Sequence, residues 1–394
     1  MPLYQAAATG LSRAWKTTPP LNPIASIYLS CPANTVTFNF FFIVCFDDGI
    51  FAWLARFLLN FYTHLKISPG NKANIMKKIL LAASAFGGVI LVCLALYLFL
   101  RQPGALHRPW EAPEEEPEKL TLESAGKIWD YYESIGYTGC GMENANLEVP
   151  RIYLDAIGNS WADDQPVASK KSLFYRTMLP LVLRVNEQIS AERKYLLVLE
   201  EQYREGQEPA EEDLAWLENL AKRYKIVQEA EPVDLTGDFF EEIFLRVDTI
   251  PVSIALGQMA YESGYATSRF TTEGNALFGQ WCWGGEGMMP ETRREDRGDY
   301  RIADFPTLID SIKAYAMNIN THAAYVDFRL ARAEQRREQK DDLDVYSLLN
   351  TLESYSEKRL EYVETLQGII GHNKLTMFDR AKLSAGRPVV LVQD

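Results

Sequence analysis

Ile79 through Leu100 carries no charged side chain. At about 1.5 Å of helical rise per residue, such a run crosses a bilayer core of roughly 30 Å, and no other feature divides the chain so sharply. Lys77 and Lys78 stand before it, and the proline- and glutamate-rich stretch "RQPGALHRPWEAPEEEPEK" follows. Lysine on the short side places that side in the cytoplasm and everything after Arg101 outside. A cleaved signal peptide is the competing reading. The apolar run is longer than a usual h-region and no A-x-A site with a polar approach follows it, so 76–101 reads as an uncleaved transmembrane signal anchor.

Residues 1–75 fit this arrangement poorly. "TFNFFFIVCFDDGIFAWLARFLLNFY" is apolar and aromatic, but Asp47, Asp48 and Arg56 interrupt it, each at a cost of a few kcal/mol in lipid. "MKKILL" at Met76 has the form of a membrane-targeting start. The expectation is that the working protein begins there and that 1–75 is a non-native leader or mistranslated start. The alternative is a further interfacial or spanning segment.

The formal net charge is −13, and the densest basic patches, "QRREQK" and "TRRE", are punctuated by acids. Nucleic-acid binding needs a concentrated basic surface and is therefore not expected. The five cysteines, Cys31, Cys45, Cys93, Cys140 and Cys282, form no CxxC pair with histidine partners. His64, His107, His322 and His372 are scattered, so no metal site is expected. Cys140 and Cys282 are the thiols on the outer side, and spacing leaves their pairing open.

Residues 102–119 are too rich in Pro and Glu to bury a core and read as a linker. Helical periodicity follows. "LESAGKIWDYYESIGYT" suits one helix, and "KKSLFYRTMLPLVLRVNEQISAERKYLLVLEEQYREG" sustains apolar residues at spacings of three and four. Pro180 predicts a kink or division of that pattern, and Gly206 a stop. "AEEDLAWLENLAKRYKIV" predicts a shorter helix with its charges ordered along the macrodipole. "TGDFFEEIFLRVDTIPVSIALGQMAYES" predicts two helices separated near Asp248, with Pro251 in the first turn of the second. On that second helix Val252, Ala255, Leu256, Met259 and Ala260 share an apolar face. Glu262 falls at its rim, and Gly264 supplies the break. A half-buried carboxyl group there has its pKa pushed upward by desolvation, although a rim charge with no function has the same periodicity. Beyond it, "WCWGGEGMMPETRREDRGDYRIADF" predicts two short strands with a turn at "EDRGDY", and the remainder is helical again. The fold class is thus α+β, mostly helical, with one small β-hairpin insertion.

"IPVSIALGQMAYESGYATSRFTTEGNALFGQW", with "RIADFPTLIDSIKAYAMNINTHAAY" downstream, resembles the glucosaminidase domain of bacterial peptidoglycan hydrolases. The carriers are the helix-Glu-Ser-Gly-aromatic segment, the small residues before Ser268-Arg269, and Asn275-x-Leu277-Phe278-Gly279, in the family's order. "VPRIYLDAI" and the helical section at 170–190 are similar to the Bax-type branch, related to the hydrolase domain of the flagellar protein FlgJ. The resemblance implies a lysozyme-like domain at 236–380, a helical Bax-type section at 120–235, and a tail at 381–394. It further implies cleavage of the β-1,4 bond after N-acetylglucosamine in peptidoglycan glycan strands, without a cofactor. The catalytic domain would lie in the periplasm, held to the inner membrane through residues 79–100.

Under that resemblance Glu262 takes the place of the catalytic acid. For a second carboxylate on the β insertion, Glu286, Glu291, Glu295, Asp299 and Asp304 compete, and Glu295, ahead of the "DRGD" turn, is favoured. Substrate assistance by the acetamido group is the alternative. Tyr325, in "THAAY", resembles a family tyrosine near the acid. Tyr265, Phe278, Trp281 and Trp283 supply flat faces for a sugar groove, with Phe278 packing behind it, and Asn275 is expected to hold its loop through backbone hydrogen bonds. The sequence departs from the family twice. Gln280 stands where many relatives have Lys, and "CWGGEGMMP" lacks a second cysteine after Cys282, leaving Cys140 as the outer partner. Two further functions fit the same pattern: a lytic transglycosylase on a similar fold, and a catalytically silent envelope scaffold that binds glycan or partner proteins.

Overall fold

The computed structural model describes residues 108–109, 115–138, 147–158, 161, 167–228, 232–283, 287–291, 298–338 and 342–393. The anchor segment 79–100, the rest of 1–107, Cys140, Glu286 and Glu295 lie outside them. Among the described residues no helix is long and apolar enough to cross a membrane.

In chain order the elements are β1 (Glu118–Leu122), α1 (Ala125–Ser134), β2 (Glu148–Val149), β3 (Ile152–Leu154), α2 (Val167–Arg204), α3 (Glu211–Arg223), α4 (Gly237–Arg246), α5 (Val252–Ser263), α6 (Arg269–Gly274), β4 (Trp281–Trp283) and β5 (Tyr300–Ile302). Then come α7 (Leu308–Thr321), a 3-10 turn (Ala323–Tyr325), α8 (Val326–Arg337), α9 (Val345–Leu349), a second 3-10 segment (Asn350–Tyr355), α10 (Leu360–His372), a third (Leu375–Arg380), β6 (Lys382–Leu383) and β7 (Val389–Gln393). The mostly helical α+β class expected from periodicity holds.

Two helices carry the architecture, each with a stretch buried on every side. One is α2, whose turns from Leu173 to Leu183 are wholly buried. The sequence predicts a kink or division at Pro180; the helix is not divided there. Proline offers no N–H to the carbonyl four residues back, that of Arg176; the Tyr137 hydroxyl donates to this carbonyl instead, at 3.1 Å. The helix ends ahead of Gly206, which adopts φ +71°.

The other is α5. The expectation of one apolar face with a rim is corrected here: every residue from Val252 to Ala260 is buried, including Ser253, Gly257 and Gln258. A helix enclosed by others needs no polar face. α2 and α10 both pack on it, as does the third 3-10 segment. Gly257 permits the approach of α10, because a Cβ at that position would lie 2.9 Å from Ile370 Cγ1. The helix start, after Pro251, is capped from a distance. Asp379 accepts the Ser253 backbone N–H at 2.9 Å and its hydroxyl at 2.7 Å, satisfying donors that a helix N-terminus leaves open.

The turn between α4 and α5 is fixed by α8. Asp248 is buried there. Arg336 donates to its Oδ2 at 2.7 Å, and Arg332 lies 3.5 Å and Arg193 3.9 Å from that oxygen. Fully buried Arg332 also donates to the carbonyls of Leu245 and Thr249, so part of the arginine-rich helix faces inward where its guanidinium groups close backbone carbonyls.

The β structure exceeds the single hairpin expected. Its two strands are present, β4 pairing antiparallel with β5, while the first half of the expected turn at "EDRGDY" lies outside the described residues. In addition β7 lies between β1 and β3, parallel to both, with Leu391 opposite Leu120 and Leu154. β2 pairs parallel with β6. Residues 389–393, inside the segment read as a tail, therefore form the middle strand of a sheet, and Glu118–Lys119, inside the segment read as linker, begin its edge strand. Parallel strands join segments far apart in the chain, so neither carries a local sign of its partner.

Candidate active site

Glu262 occupies the last turn of α5, where the enclosed helix first reaches partial exposure. Gly264 closes it in the left-handed region at φ +59°, as the sequence predicts. Tyr265 and Ala266 follow at +60° and +65°, conformations that cost a non-glycine residue about 1 kcal/mol or more. Hydrogen bonds hold them there. Tyr265 N–H donates to Ala260 O at 3.0 Å, and Ala266 N–H to Ser263 Oγ at 2.8 Å. The chain thus turns abruptly behind the carboxyl group and enters α6, whose first turn Ser268 caps.

Burial raises the Glu262 carboxyl to about 7, weakly opposed by the nearby Tyr362 hydroxyl. Tyr315, Tyr325, Tyr355 and Tyr362 lie close enough to feel its charge, each pushed upward mainly by its own burial. Tyr355 stacks parallel on Tyr362 at 5.7 Å and packs against Tyr325 at 5.8 Å. The acid therefore stands in a wall of phenol rings from α7, the two following 3-10 segments and α10. Gln258, one turn earlier on α5, links two of these rings: Tyr315 donates to its Oε1 at 2.6 Å and its Nε2 donates to the Tyr362 hydroxyl at 2.9 Å.

The other expected residues divide into groups. Tyr325 is buried and close enough to Glu262 to feel its charge. Tyr265 packs edge-on against Phe174 and Tyr175 of α2, and Lys171 Nζ sits 4.7 Å from its ring centre. The helical section thereby reaches the site. Asn275 holds the loop as expected, donating to Phe305 O at 3.0 Å and Pro306 O at 3.3 Å and accepting from Ile157 N–H at 3.4 Å. Phe278, 3% exposed, stacks face to face on Tyr315 at 3.9 Å and backs the wall rather than offering a surface. Gln280 has a buried Oε1 without a hydrogen-bond partner among the described residues.

Trp281 and Trp283 project from one face of β4, since alternate residues of a strand share a face. They are 38% and 67% exposed, and Trp281 rests on Tyr300 at 4.6 Å. Glu295 and Glu286 lie outside the described residues. Glu291 is exposed, with Arg269 at 3.7 Å, and Asp299 and Asp304 are also exposed. Among the described residues no cluster of three or more His, Cys, Asp or Glu side chains suits a metal ion.

The sequence reading missed Gln258, Tyr355 and Tyr362. Gln258 had a signal: an amide in the middle of an apolar run, four residues before Glu262 and so on the same side of the helix. Tyr355 and Tyr362 had none, being about a hundred residues downstream in an ordinary helical pattern.

Residues 238–375 match the glucosaminidase family, described as mannosyl-glycoprotein endo-β-N-acetylglucosaminidase. Protein Bax of Escherichia coli (strain K12) is 33% identical over 193 residues, which cover 49% of this chain and 66% of that protein, just under two thirds of its length. The catalytic domain of the autolysin Auto from Listeria monocytogenes is 17% identical, covering 42% of this chain and 82% of that one, at a TM-score of 0.26, too low to carry weight. Residues 238–375 thus carry a glucosaminidase-family match, in a chain that is similar to protein Bax over about half of its length.

Proposed function

We propose that this chain is a peptidoglycan hydrolase, an endo-β-N-acetylglucosaminidase, with Glu262 as its general acid. The observation that carries the reading is the Glu262 carboxyl itself. It sits half-buried at the end of an enclosed helix and is raised by burial to about 7. A group poised there is still substantially protonated near neutral pH and can transfer its proton.

In this reading Glu262 protonates the glycosidic oxygen as the bond from the N-acetylglucosamine C1 to that oxygen breaks. Positive charge develops at C1 in an oxocarbenium-like transition state, and water supplies the new hydroxyl. Glu295 is the candidate for activating that water or steadying the charge. Tyr325 directs its hydroxyl at the carboxyl or the sugar. Trp281 and Trp283 give the glycan strand two exposed rings to stack on, with Tyr265 at the near edge of the groove. Gln280 offers its unpartnered amide oxygen to a sugar hydroxyl or amide. No cofactor enters this chemistry. The protein is held in the inner membrane through residues 79–100, with the catalytic domain in the periplasm.

The test is digestion of purified peptidoglycan by the full chain in detergent, with Glu262→Gln beside it, read by product mass. New reducing N-acetylglucosamine ends from the first and none from the second support the reading. Anhydro ends, lighter by one water, would replace hydrolysis with a transglycosylase. Intact glycan from the folded wild-type chain would leave a scaffold that only binds.

A further inference from the structure

Tyr265 follows Glu262 by three residues, and its ring is held by a helix outside the family match at 238–375. Lys171, Phe174 and Tyr175 stand three and four residues apart on α2 and so share one face. That face meets Tyr265. Phe174 and Tyr175 pack edge-on against its ring at 5.5 and 6.0 Å, and Lys171 Nζ lies over the ring, 4.7 Å from its centre. Phe174 and Tyr175 are buried, whereas Lys171 and Tyr265 are half-buried, so solvent reaches the contact at its lysine end. The backbone of Tyr265 is as firmly placed as its ring, at φ +60° with its N–H donated to Ala260 O. A cation is thereby fixed beside the turn that carries the candidate acid.

The charge of Lys171 is not matched. Arg269, which follows the same turn, pairs with Glu273 at 2.9 Å and lies 3.7 Å from Glu291. Among the described residues no carboxylate pairs with Lys171; its ammonium meets the Tyr265 ring. Such a ring contact is worth about 0.5–1 kcal/mol at an exposed site, and it leaves the ammonium's N–H donors for an anion. Lys171 is not among the groups that shift the Glu262 carboxyl, so removing its charge leaves the acid's own proton in place.

The proposed cut releases the oxygen on C4 of an N-acetylmuramic acid residue. The neighbouring C3 carries that sugar's lactyl arm. The arm ends in a peptide bearing carboxylates or, where the peptide has been removed, in a carboxylate of its own. The anion nearest the scissile bond therefore belongs to the sugar whose oxygen Glu262 protonates.

We propose that Lys171, seated on Tyr265, is a specificity-determining residue that receives this carboxylate, so that acidic strands are cut in preference to neutral ones. This role presupposes the glucosaminidase activity proposed above, and it gives the helical section, which the family match does not include, a share in choosing the substrate.

The experiment compares kcat/KM of the full chain in detergent on three substrates: solubilised strands bearing their peptides, the same strands with every carboxylate converted to an amide, and strands stripped of peptide. Peptide-bearing strands should be cut about three- to fivefold better than amidated ones, the worth of one partly exposed ion pair. Raising salt to about 0.5 M should shrink that preference. Lys171→Met keeps an unbranched side chain without the charge, and should bring the ratio between the two substrates to near one. Lys171→Arg keeps the charge and should keep the ratio. A merely structural lysine would lower both rates together and leave the ratio in place. That result, or a wild-type ratio near one, overturns the proposal. The salt dependence of the wild type covers the case in which Lys171→Met does not fold: a preference that salt leaves unchanged overturns the ion pair. Stripped strands identify the source of the anion. They follow the peptide-bearing strands if the lactyl carboxylate is received, and the amidated strands if the peptide's is. Absence of cleavage of all three by the wild-type chain instead overturns the proposed activity. Dissociation constants for the same strands, read without turnover, then decide the contact: binding weakened by Lys171→Met on acidic strands alone supports it, and equal binding removes it.

Discussion

Asp248 and Glu262 flank the same enclosed helix, and both are carboxyl groups taken largely out of water. Burial pushes each upward. At Asp248 that push is outweighed by Arg332, Arg193 and Arg336, which together hold the group below the ordinary carboxylate range. At Glu262 nothing but the Tyr362 hydroxyl opposes it, and the group rises to about 7. The first arrangement locks a turn; the second keeps a proton within reach of neutral pH. Asp379, at the start of the same helix, lies between the two. Burial lifts it to about 6, opposed by the Ser253 and Val252 donors. The difference is made by neighbours rather than by residue type: guanidinium groups surround one carboxyl, backbone and hydroxyl donors meet another, and phenol rings enclose the third.

The comparison is broken most severely by Glu262→Gln. That amide keeps the shape of the side chain but has no acidic proton, and glycan cleavage should fall by about 10³-fold or more, measured as product released per enzyme. Retained cleavage within tenfold of wild type would remove Glu262 from the chemistry. At the other end of the helix, Asp248→Ala leaves Arg332 buried without its counter-charge, and urea unfolding should show a loss of about 3–5 kcal/mol. A loss below 1 kcal/mol would mean that the arginines find other partners.

The two carboxyls also differ in the sign of their pH dependence. Glu262 has a raised folded pKa, so its contribution to stability is complete below its unfolded value near 4.5 and is lost as pH rises toward 7. Glu262→Gln should therefore be more stable than wild type at pH 8, by on the order of 2 kcal/mol, and equal to it below pH 4. Asp248 has a lowered folded pKa. Its contribution is complete above its unfolded value near 3.8 and is lost only in acid below that. Unfolding of both variants and the wild type at pH 3, 5 and 8 checks the two signs together.

Smaller effects sharpen the picture. Asp379→Ala leaves the first donors of α5 open and should cost about 1–2 kcal/mol in thermal unfolding. Trp283→Ala, at a largely exposed ring, should leave stability within about 0.5 kcal/mol while weakening glycan retention by up to about tenfold, as the loss of one stacking contact predicts. Unchanged pull-down on insoluble peptidoglycan would remove Trp283 from the groove.

What the sequence made legible follows from how local each cause is. The end of α5 could be read because Gly264, the apolar run and Glu262 are adjacent. Asn275 could be placed in a loop-holding role for the same reason: its αL turn and its polar side chain are properties of one short stretch. Pro180 does not divide its helix, since whether a proline does so depends on what receives the freed carbonyl, and Tyr137 reaches it from the loop after α1. The strand Val389–Gln393 was invisible because its partners, β1 and β3, stand more than two hundred residues away. Glu262 was legible as a rim carboxyl whose desolvation raises its pKa, but the groups that enclose it were not: the phenol wall is assembled from α7, α10 and the segments between them. Gln258 was on view one turn upstream and was passed over because a single amide inside an apolar run has no meaning until Tyr315 and Tyr362 arrive on either side of it.

The central claim is that the Glu262 carboxyl keeps its proton near neutral pH. The direct measurement is the carbon-13 NMR titration of glutamate side-chain carboxyls in the full chain, with Glu262→Gln to assign the resonance. A midpoint near 7 is the result this account predicts. A midpoint at or below 4.5 would show a carboxylate already ionised at neutral pH and would contradict its role as the proton donor.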